Sequence, residues 1–477
     1  VRNESAGDIF EPERPVVPND WDVLPFERAA QVVSDRGKRV KQSAYLPAGR
    51  VPIIDQGQDY IGGYTDDDTM FFDGQLPVVL FGDHTRTIKY VDKPFAVGAE
   101  GVKILRPADC YEPKFFYYLL QSLHIPSRGY SRHFQFLRKF HFPVAPKPQQ
   151  KRIVAEIEKQ FSRLDEAVAN LKRVKGNLKR YKAAVLKAAV EGKLTEEWRK
   201  DHPDVEPASE LLKHILAERR AKWEQSELAK IKAAGKEPKD DKWKKRYQEG
   251  LLPPTSTLST LPSGWCWLTV DAIAFVTKLA GFEYTKYVKY EDDGDLAVIK
   301  AENAGKDGFK QTDFSHVKNG TVSHLERSRL LAGDLLMVFV GAGTGNVARV
   351  PGDQPYFLGP NIAMIRVETK LVLPEYLELF LRSPVGNRLA LGFAKAVAQP
   401  SLSMGTIRMI PVAIPPFFEQ RNIVAEVERL LSVTNESDAA VIVNYQRAER
   451  LRQSILGKAF CGRLISADGI SCRPDNF

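Results

Sequence analysis

The sequence offers few places where a reaction could be carried out, and each lacks a part. Gly341-Ala342-Gly343-Thr344-Gly345 follows a strand-like run, as a phosphate loop does. Such a loop must open a helix whose first amides point at the anion, and Asn346 to Val350 (NVARV) reads as another strand, so the glycines are expected to form a turn. Pro415-Pro416-Phe417 has the Pro-Pro-aromatic form used in methylating adenine amino groups. That chemistry needs Asn or Asp ahead of the prolines to accept a hydrogen bond from the amino group, and Ile414 stands there with no glycine-rich cofactor loop nearby. Pro203-Asp204 with Glu237-Pro238-Lys239 imitates a nuclease core, whose carboxylates must sit on adjoining strands to hold a metal, but this stretch carries no strand signal. The eight histidines form no HxxxH pair, Cys110, Cys266, Cys461 and Cys472 show no CxxC spacing, and no nucleophile adjoins a credible base. The expectation is a chain with no catalytic residue, metal site or cofactor of its own.

Residues suited to binding are better placed. In the first third of the chain, polar, aromatic and basic side chains collect in turns between strand-like runs: Gln56, Gln58 and Tyr60; His84, Thr85 and Arg86; Tyr130, Arg132 and His133. A second series follows further on, at Lys300 and Asn303, Thr344 and Asn346, and Lys395, Gln399 and Ser401. Recognition residues concentrate on loops held by a rigid scaffold.

The elements that must position these loops come in duplicate. Gln150 to Leu194 reads as one long helix, with Ile157, Leu164, Leu171, Leu178 and Val185 at seven-residue intervals, flanked by Val154, Phe161, Val168 and Ala189. That is a coiled-coil seam, and it needs a partner. QRNIVAEVERLL from Gln420 repeats QKRIVAEIEKQF from Gln150, and SILGKAFCGRL from Ser454 repeats AVLKAAVEGKL from Ala184, both at an offset of 270. Two copies of one helix predict an antiparallel pair within the chain. Thr434, Asp438 and Ala448 occupy seam positions of the second copy, so pairing is expected to be looser in the middle. Each helix follows a region rich in β-branched runs and Gly/Pro turns, opened by a tryptophan (Trp21, Trp265) and closed by a proline-flanked strand.

The expected class is therefore α+β: two β-rich globules separated by two long helices paired as an antiparallel coiled coil, an internal pseudo-twofold repeat. The divisions are an irregular lead-in (1–20), a first globule (21–148), a long helix (149–198), a charged helical linker (199–261), a second globule (262–415), a second long helix (416–465) and a tail (466–477). Within the linker, Leu211, Leu212, Ile215 and Leu216 predict one short amphipathic helix, the rest being a solvated helix or tether.

At 477 residues the chain is long enough for two cores, and no apolar run reaches the length of a membrane span. The acidic, proline-bearing start is no signal peptide, and a cytoplasmic location is expected. The net charge of +9 is concentrated: Lys147 to Lys193 holds thirteen Lys/Arg against five Asp/Glu, and Ala167 to Val190 has no acid. A solvated helix face gains from interleaved signs, so Lys172, Arg173 and their neighbours point to a polyanion, nucleic acid or an acidic protein surface. At about 1.5 Å per residue the helix spans roughly 65 Å, about twenty base pairs of duplex at roughly 3.4 Å each.

The chain resembles the specificity subunits (HsdS) of type I restriction-modification systems. The likeness is carried by the helix starts at Gln149-Gln150 and Glu419-Gln420, the helix ends AVLKAAVEGKLTEEWR and SILGKAFCGRL, and the Trp-led openings, and covers Trp21 to Leu464. It implies two target-recognition domains, each reading half of a bipartite asymmetric site on double-stranded DNA, and two helical regions serving as spacer and docking platform. It also implies two modification subunits that use S-adenosylmethionine to methylate adenine, and restriction subunits that use ATP and Mg. The alternative is a non-enzymatic coiled-coil adaptor whose two globules bind proteins.

Overall fold

The computed structural model describes residues 10–98, 101–127, 129, 131–235, 237–238, 240–250, 252–392 and 401–465. The chain forms two compact units: Val1–Val174 with Ala440–Phe477, and Lys175–Ala439. Each unit thus contains one β-rich region and a part of each long helix.

In the first unit an antiparallel sheet has the order Ala30–Val33, Val102–Pro107, Val78–Gly82, Ile88–Val91. A second sheet runs Arg39–Val40, Ala96–Gly98, Val51–Ile54, Gly63–Thr65, its first three strands parallel. The second unit repeats the plan with Ala274–Lys278, Ile362–Val367, Leu335–Val338, Val347–Arg349, again antiparallel. Its other sheet is Arg329–Leu330, Tyr356–Leu358, Leu296–Ile299, Ser315–Val317, with a parallel central pair. The edge strand differs: Arg39–Val40 precedes its sheet in the chain and runs parallel to its neighbour, whereas Arg329–Leu330 comes late and runs antiparallel.

The central strands are apolar at successive positions because both their faces are covered. Alternation sends Val79 and Phe81 to the cluster containing helix Pro113–Ser122, and Val78 and Leu80 to a cluster between the sheets. Leu335 and Met337, against Leu336 and Val338, divide in the same way in the second unit. In each region a short ladder joins the first strand to the last, Asp22–Pro25 with His141–Val144 and Cys266–Thr269 with Pro411–Ile414, so the chain leaves beside its entry point.

The long helices span Lys147–Val190 and Phe417–Phe460 and pair antiparallel. Their seam is fully buried near the ends, at Ile153, Ile157 and Phe161 with Ile455, Leu456, Ala459 and Phe460 in the first unit, and at Val185, Leu186 and Ala189 with Ile423 and Val427 in the second. Leu164, Leu171 and Leu178 are only half-buried. The polar seam positions are nevertheless satisfied. Thr434 is buried and donates to the Leu430 carbonyl at 2.9 Å. Asp438 pairs with Lys182 across the seam, and Arg452 pairs with Asp165 while covering the Phe161 ring at 4.3 Å.

Each unit is closed by the same junction. The Trp21 indole donates to Gln149 Oε1 at 2.6 Å and the Trp265 indole to Glu419 Oε2 at 2.9 Å. The next residue, Gln150 or Gln420, is wholly buried and fastens three backbone groups. Gln150 receives Glu112 N–H and donates to the Cys110 and Ala145 carbonyls; Gln420 receives Leu373 N–H and donates to those of Leu371 and Pro415. The helix C-termini complete the arrangement, turning at Gly192 and Gly462, whose φ of 71° and 76° suits glycine. A Cβ on Gly192 would lie 2.6 Å from Pro262 Cγ, and one on Gly462 2.3 Å from Pro18 Cγ.

Unlike Gln149, Glu419 is a buried carboxylate, and the second unit supplies what it needs: the Thr195 hydroxyl donates at 2.6 Å and Arg199 forms an ion pair. The expected linker begins here and is more ordered than a tether. A helix spans Ala208–Ala233, its Ala208, Leu211 and Ile215 lying in the core of the second unit. Arg219 pairs with Asp271, and Trp223 stacks on Trp243 and packs at a tilt against Tyr247, both from the returning chain. Intrinsic amphipathicity predicted only one short stretch because the later contacts are ionic and aromatic.

The buried carboxylate and the docked helix can each be probed. Arg199→Met leaves Glu419 buried without a cation and should destabilise the protein by about 2 to 4 kcal/mol in chemical denaturation, while adding Glu419→Gln should restore most of that stability, as Gln149 manages without an arginine. Cys266 donates to the Ala208 carbonyl at 3.4 Å and burial pushes its thiol up to about 11. Its alkylation at pH 8, followed by mass spectrometry, should be slow in the wild type and faster in Leu211→Ala, which loosens the helix from the core.

Candidate nucleic-acid interface

In the first unit three loops converge at one end of the sheets. They are 55–62 after strand Val51–Ile54, the hairpin turn 83–87 after Val78–Gly82, and the residues around 131–133 before helix Phe134–Leu137. They are bonded to one another. His84 N–H donates to Gln56 Oε1 at 3.1 Å, the Thr85 hydroxyl to the Gln56 carbonyl at 2.6 Å, and His84 Nδ1 to the Ser131 carbonyl at 3.3 Å. Beneath them Asp83, 4% exposed, receives Phe134 N–H at 2.8 Å through Oδ1. Its carbonyl receives both the backbone N–H and Nδ1 of His133, at 2.8 and 2.9 Å.

This geometry separates the expected contact residues. His133 is 1% exposed and holds the loops together from inside, which corrects its expected place on the surface. Arg86 turns inward, donating to the Ile125 carbonyl at 2.8 Å, and Tyr60 is half-exposed with its hydroxyl on the Tyr90 carbonyl. Gln58, Thr85 and Arg132 are exposed, and Gln56 and His84 half-buried at the junction. Tyr130 lies outside the described residues. Lys89, which sequence reasoning passed over, is 4% exposed and reaches under the 55–62 loop to Asp55 Oδ1 at 3.7 Å and the Asp59 carbonyl at 2.5 Å. Burial pushes its ammonium below the usual lysine range, opposed by the Asp55 carboxylate. Its alternation with Val91 in strand Ile88–Val91 marks it as inward-facing.

The second unit brings equivalent loops together. Lys300 and Asn303 follow strand Leu296–Ile299, the 339–346 loop follows Leu335–Val338, and Ser401 precedes helix Met404–Arg408. Leu402 N–H donates to the Phe339 carbonyl at 2.8 Å, where His133 donates to Asp83 in the first unit. Asn346 Nδ2 donates to the Ala304 carbonyl at 3.2 Å, and Thr344 Oγ1 to the Gly341 carbonyl at 2.7 Å, making the glycine run a turn. Asn303 is 1% exposed: its Oδ1 receives Lys300 N–H and its Nδ2 donates to the Lys310 carbonyl and Thr312 hydroxyl, so it shapes the loop and does not face outward as expected. Lys300 Nζ lies 4.7 Å above the Tyr290 ring and donates to Ser315. Lys395 and Gln399 lie outside the described residues, and Ser401 is half-buried.

On the first long helix Lys172, Arg173, Lys175, Lys179 and Arg180 are exposed. Arg173 and Arg180 donate to Asn170 and Asn177, and among the described residues no carboxylate pairs with Lys172, Lys175 or Lys179. No group of His, Cys, Asp and Glu able to hold a metal occurs among the described residues, and no described helix is long and apolar enough to cross a membrane. The arrangement can present hydrogen-bonding groups on rigid loops and positive charge along a helix.

The model of the type I restriction modification DNA specificity domain matches residues 275–442. The type I restriction enzyme EcoBI specificity subunit of Escherichia coli is 25% identical over 441 residues, covering 87% of this chain and 80% of that one. The EcoKI specificity subunit of Escherichia coli strain K12 is 26% identical over 332 residues, 68% of this chain and 58% of that one. In a solved structure concerning complex assembly and conformational transition of the type I R-M system, one chain superposes with a TM-score of 0.54 at 16% identity, covering 95% of this chain and 100% of that one, a likeness of fold. Over these spans the chain is similar to the specificity subunits of type I restriction-modification systems.

Asn303→Ala should cost about 1 to 3 kcal/mol of stability, because it strips a buried loop of its hydrogen bonds. Arg132→Ala, at an exposed position, should leave stability within about 0.5 kcal/mol. Urea denaturation of both variants checks the assignment.

Proposed function

We propose that the chain reads a bipartite, asymmetric site on double-stranded DNA, one half with each β-rich region, and places partner subunits on it. The observation that carries this reading is the duplication with variation: one two-sheet frame, built twice, presents equivalent loops whose residues differ. Two such surfaces read different short sequences. The partners are two modification subunits, which methylate adenine with S-adenosylmethionine, and restriction subunits, which use ATP and Mg. Val433, Ile442, Val443 and Leu451 remain exposed on the second long helix and suit it to a docking role.

Exchanging residues 21–148 for the matching region of a relative should change one half of the methylated motif and leave the other intact, read by methylome sequencing of cells carrying the whole system. A change in both halves together would contradict independent reading. The basic stretch of the first long helix supports phosphate contact as its role. Replacing Lys172, Arg173, Lys175, Lys179 and Arg180 by Gln should weaken binding of the assembled complex to every duplex alike and reduce the salt slope by roughly 0.9 for each phosphate no longer neutralised. Failed assembly with an unchanged slope would instead assign the stretch to an acidic partner surface.

A further inference from the structure

Segment 278–290 of the second unit lies beside the loops just described without belonging to them. It begins where Lys278 Nζ stands 5.0 Å from the centre of the Phe339 ring, at the root of the 339–346 loop. It ends at Tyr290, whose ring lies under Lys300 at 4.7 Å. Between these two anchors runs helix Gly281–Tyr287.

The inner side of this helix is tightly held. Glu283, 9% exposed, receives Ala280 N–H at 3.1 Å and an Arg327 N–H at 2.5 Å. Tyr284, Tyr287 and Val288 pack on a cluster that includes Leu296, Val298 and Phe357. The outer side carries Phe282, 71% exposed, with Thr285 and Lys286 also exposed, and Lys289 just beyond. Spacings of three and four place Phe282, Thr285 and Lys286 on one face. No carboxylate pairs with Lys286 or Lys289 among the described residues, while the nearby Glu291 and Asp293 are both engaged by Lys318.

This held helix leaves Phe282 in water, beside the Lys286 ammonium, which lies 5.0 Å from the Tyr287 ring, and the Lys289 ammonium, neither of them paired with a carboxylate among the described residues. The combination matches a duplex: ammoniums pair with phosphates, and an aromatic side chain contacts a thymine methyl or a base step. An apolar protein partner would call for a broader hydrophobic patch without the lysines. We propose that helix Gly281–Tyr287 is an additional DNA-contacting element of the second recognition region, with Phe282 against the bases and Lys286 and Lys289 on the backbone. This rests on the reading of that region as DNA-binding. The first unit has only the 3-10 turn Gln42–Ala44 and strand Arg39–Val40 between its strands Ala30–Val33 and Val51–Ile54, so the contact belongs to one half-site.

The test uses the full chain assembled with its modification subunits, with the motif taken from methylome sequencing and affinity measured on a duplex carrying it. Phe282→Ala should weaken binding roughly fivefold or more, or relax positions in the half-site read by the second region, leaving the other half unchanged. Lys286→Gln with Lys289→Gln should lower the salt slope by roughly 0.9 for each phosphate no longer neutralised. Unchanged affinity, motif and slope in the triple variant would overturn the proposal, as would failed assembly with DNA binding retained. An exchange of residues 262–415 runs alongside. If that exchange alters one half-site while the triple variant alters nothing, only the helix is excluded; if it alters neither half, the DNA-reading role of the region fails.

Discussion

The structure depends on giving two buried indole N–H groups an acceptor. A tryptophan that leaves its N–H unpaired in a core forfeits much of what its burial contributes, and here the acceptor is the first residue of the Gln-Gln or Glu-Gln pair that starts a long helix. Trp21 on Gln149 and Trp265 on Glu419 tie the opening strand of each β-rich region to the start of the helix that follows it. The glycine-turned end of the other helix then packs on the proline just ahead of the tryptophan. Neither β-rich region is completed by its own helix alone.

That constraint explains how the two copies could diverge. Once Glu replaces Gln at the acceptor position, the buried charge requires a hydrogen-bond donor and a cation, and Thr195 and Arg199 are present. Ile465 occupies the place of Thr195 in the other copy, where the neutral Gln149 asks for neither. The second junction consequently recruits the chain after the helix, and the ordered helix Ala208–Ala233 continues from it onto the second region.

The loops follow the same economy of parts. Strand ends fixed by two-sided burial hold them, and polar residues turned inward set their shape: the buried Asp83, Lys89 and His133 in one unit, the buried Asn303 and half-buried Asn346 in the other. With these turned inward, Gln58, Tyr60, Thr85 and Arg132 stay exposed in the first unit and Phe282 in the second. Rigid loops with few free side chains suit discrimination among sequences, because a mismatched edge leaves a fixed donor or acceptor unpaired.

Much of this was legible in the chain itself. Heptad spacing and the 270-residue offset located both helices and their pairing, and β-branched runs marked both regions as strand-rich, because periodicity and propensity are local properties. The missing acceptor at Ile414 and the missing helix after Gly345 likewise ruled out chemistry from residue types alone. What folding alone decided was direction and company. A polar residue in a turn reads the same whether it points out or in, so Asn303 and His133 looked like contacts until hydrogen bonds within a folded loop, to Lys310, and across the unit, to Asp83, placed them inside. Asp438, apparently a flaw in its seam, is satisfied by Lys182, 256 residues away in sequence, a partner that only the antiparallel register brings near.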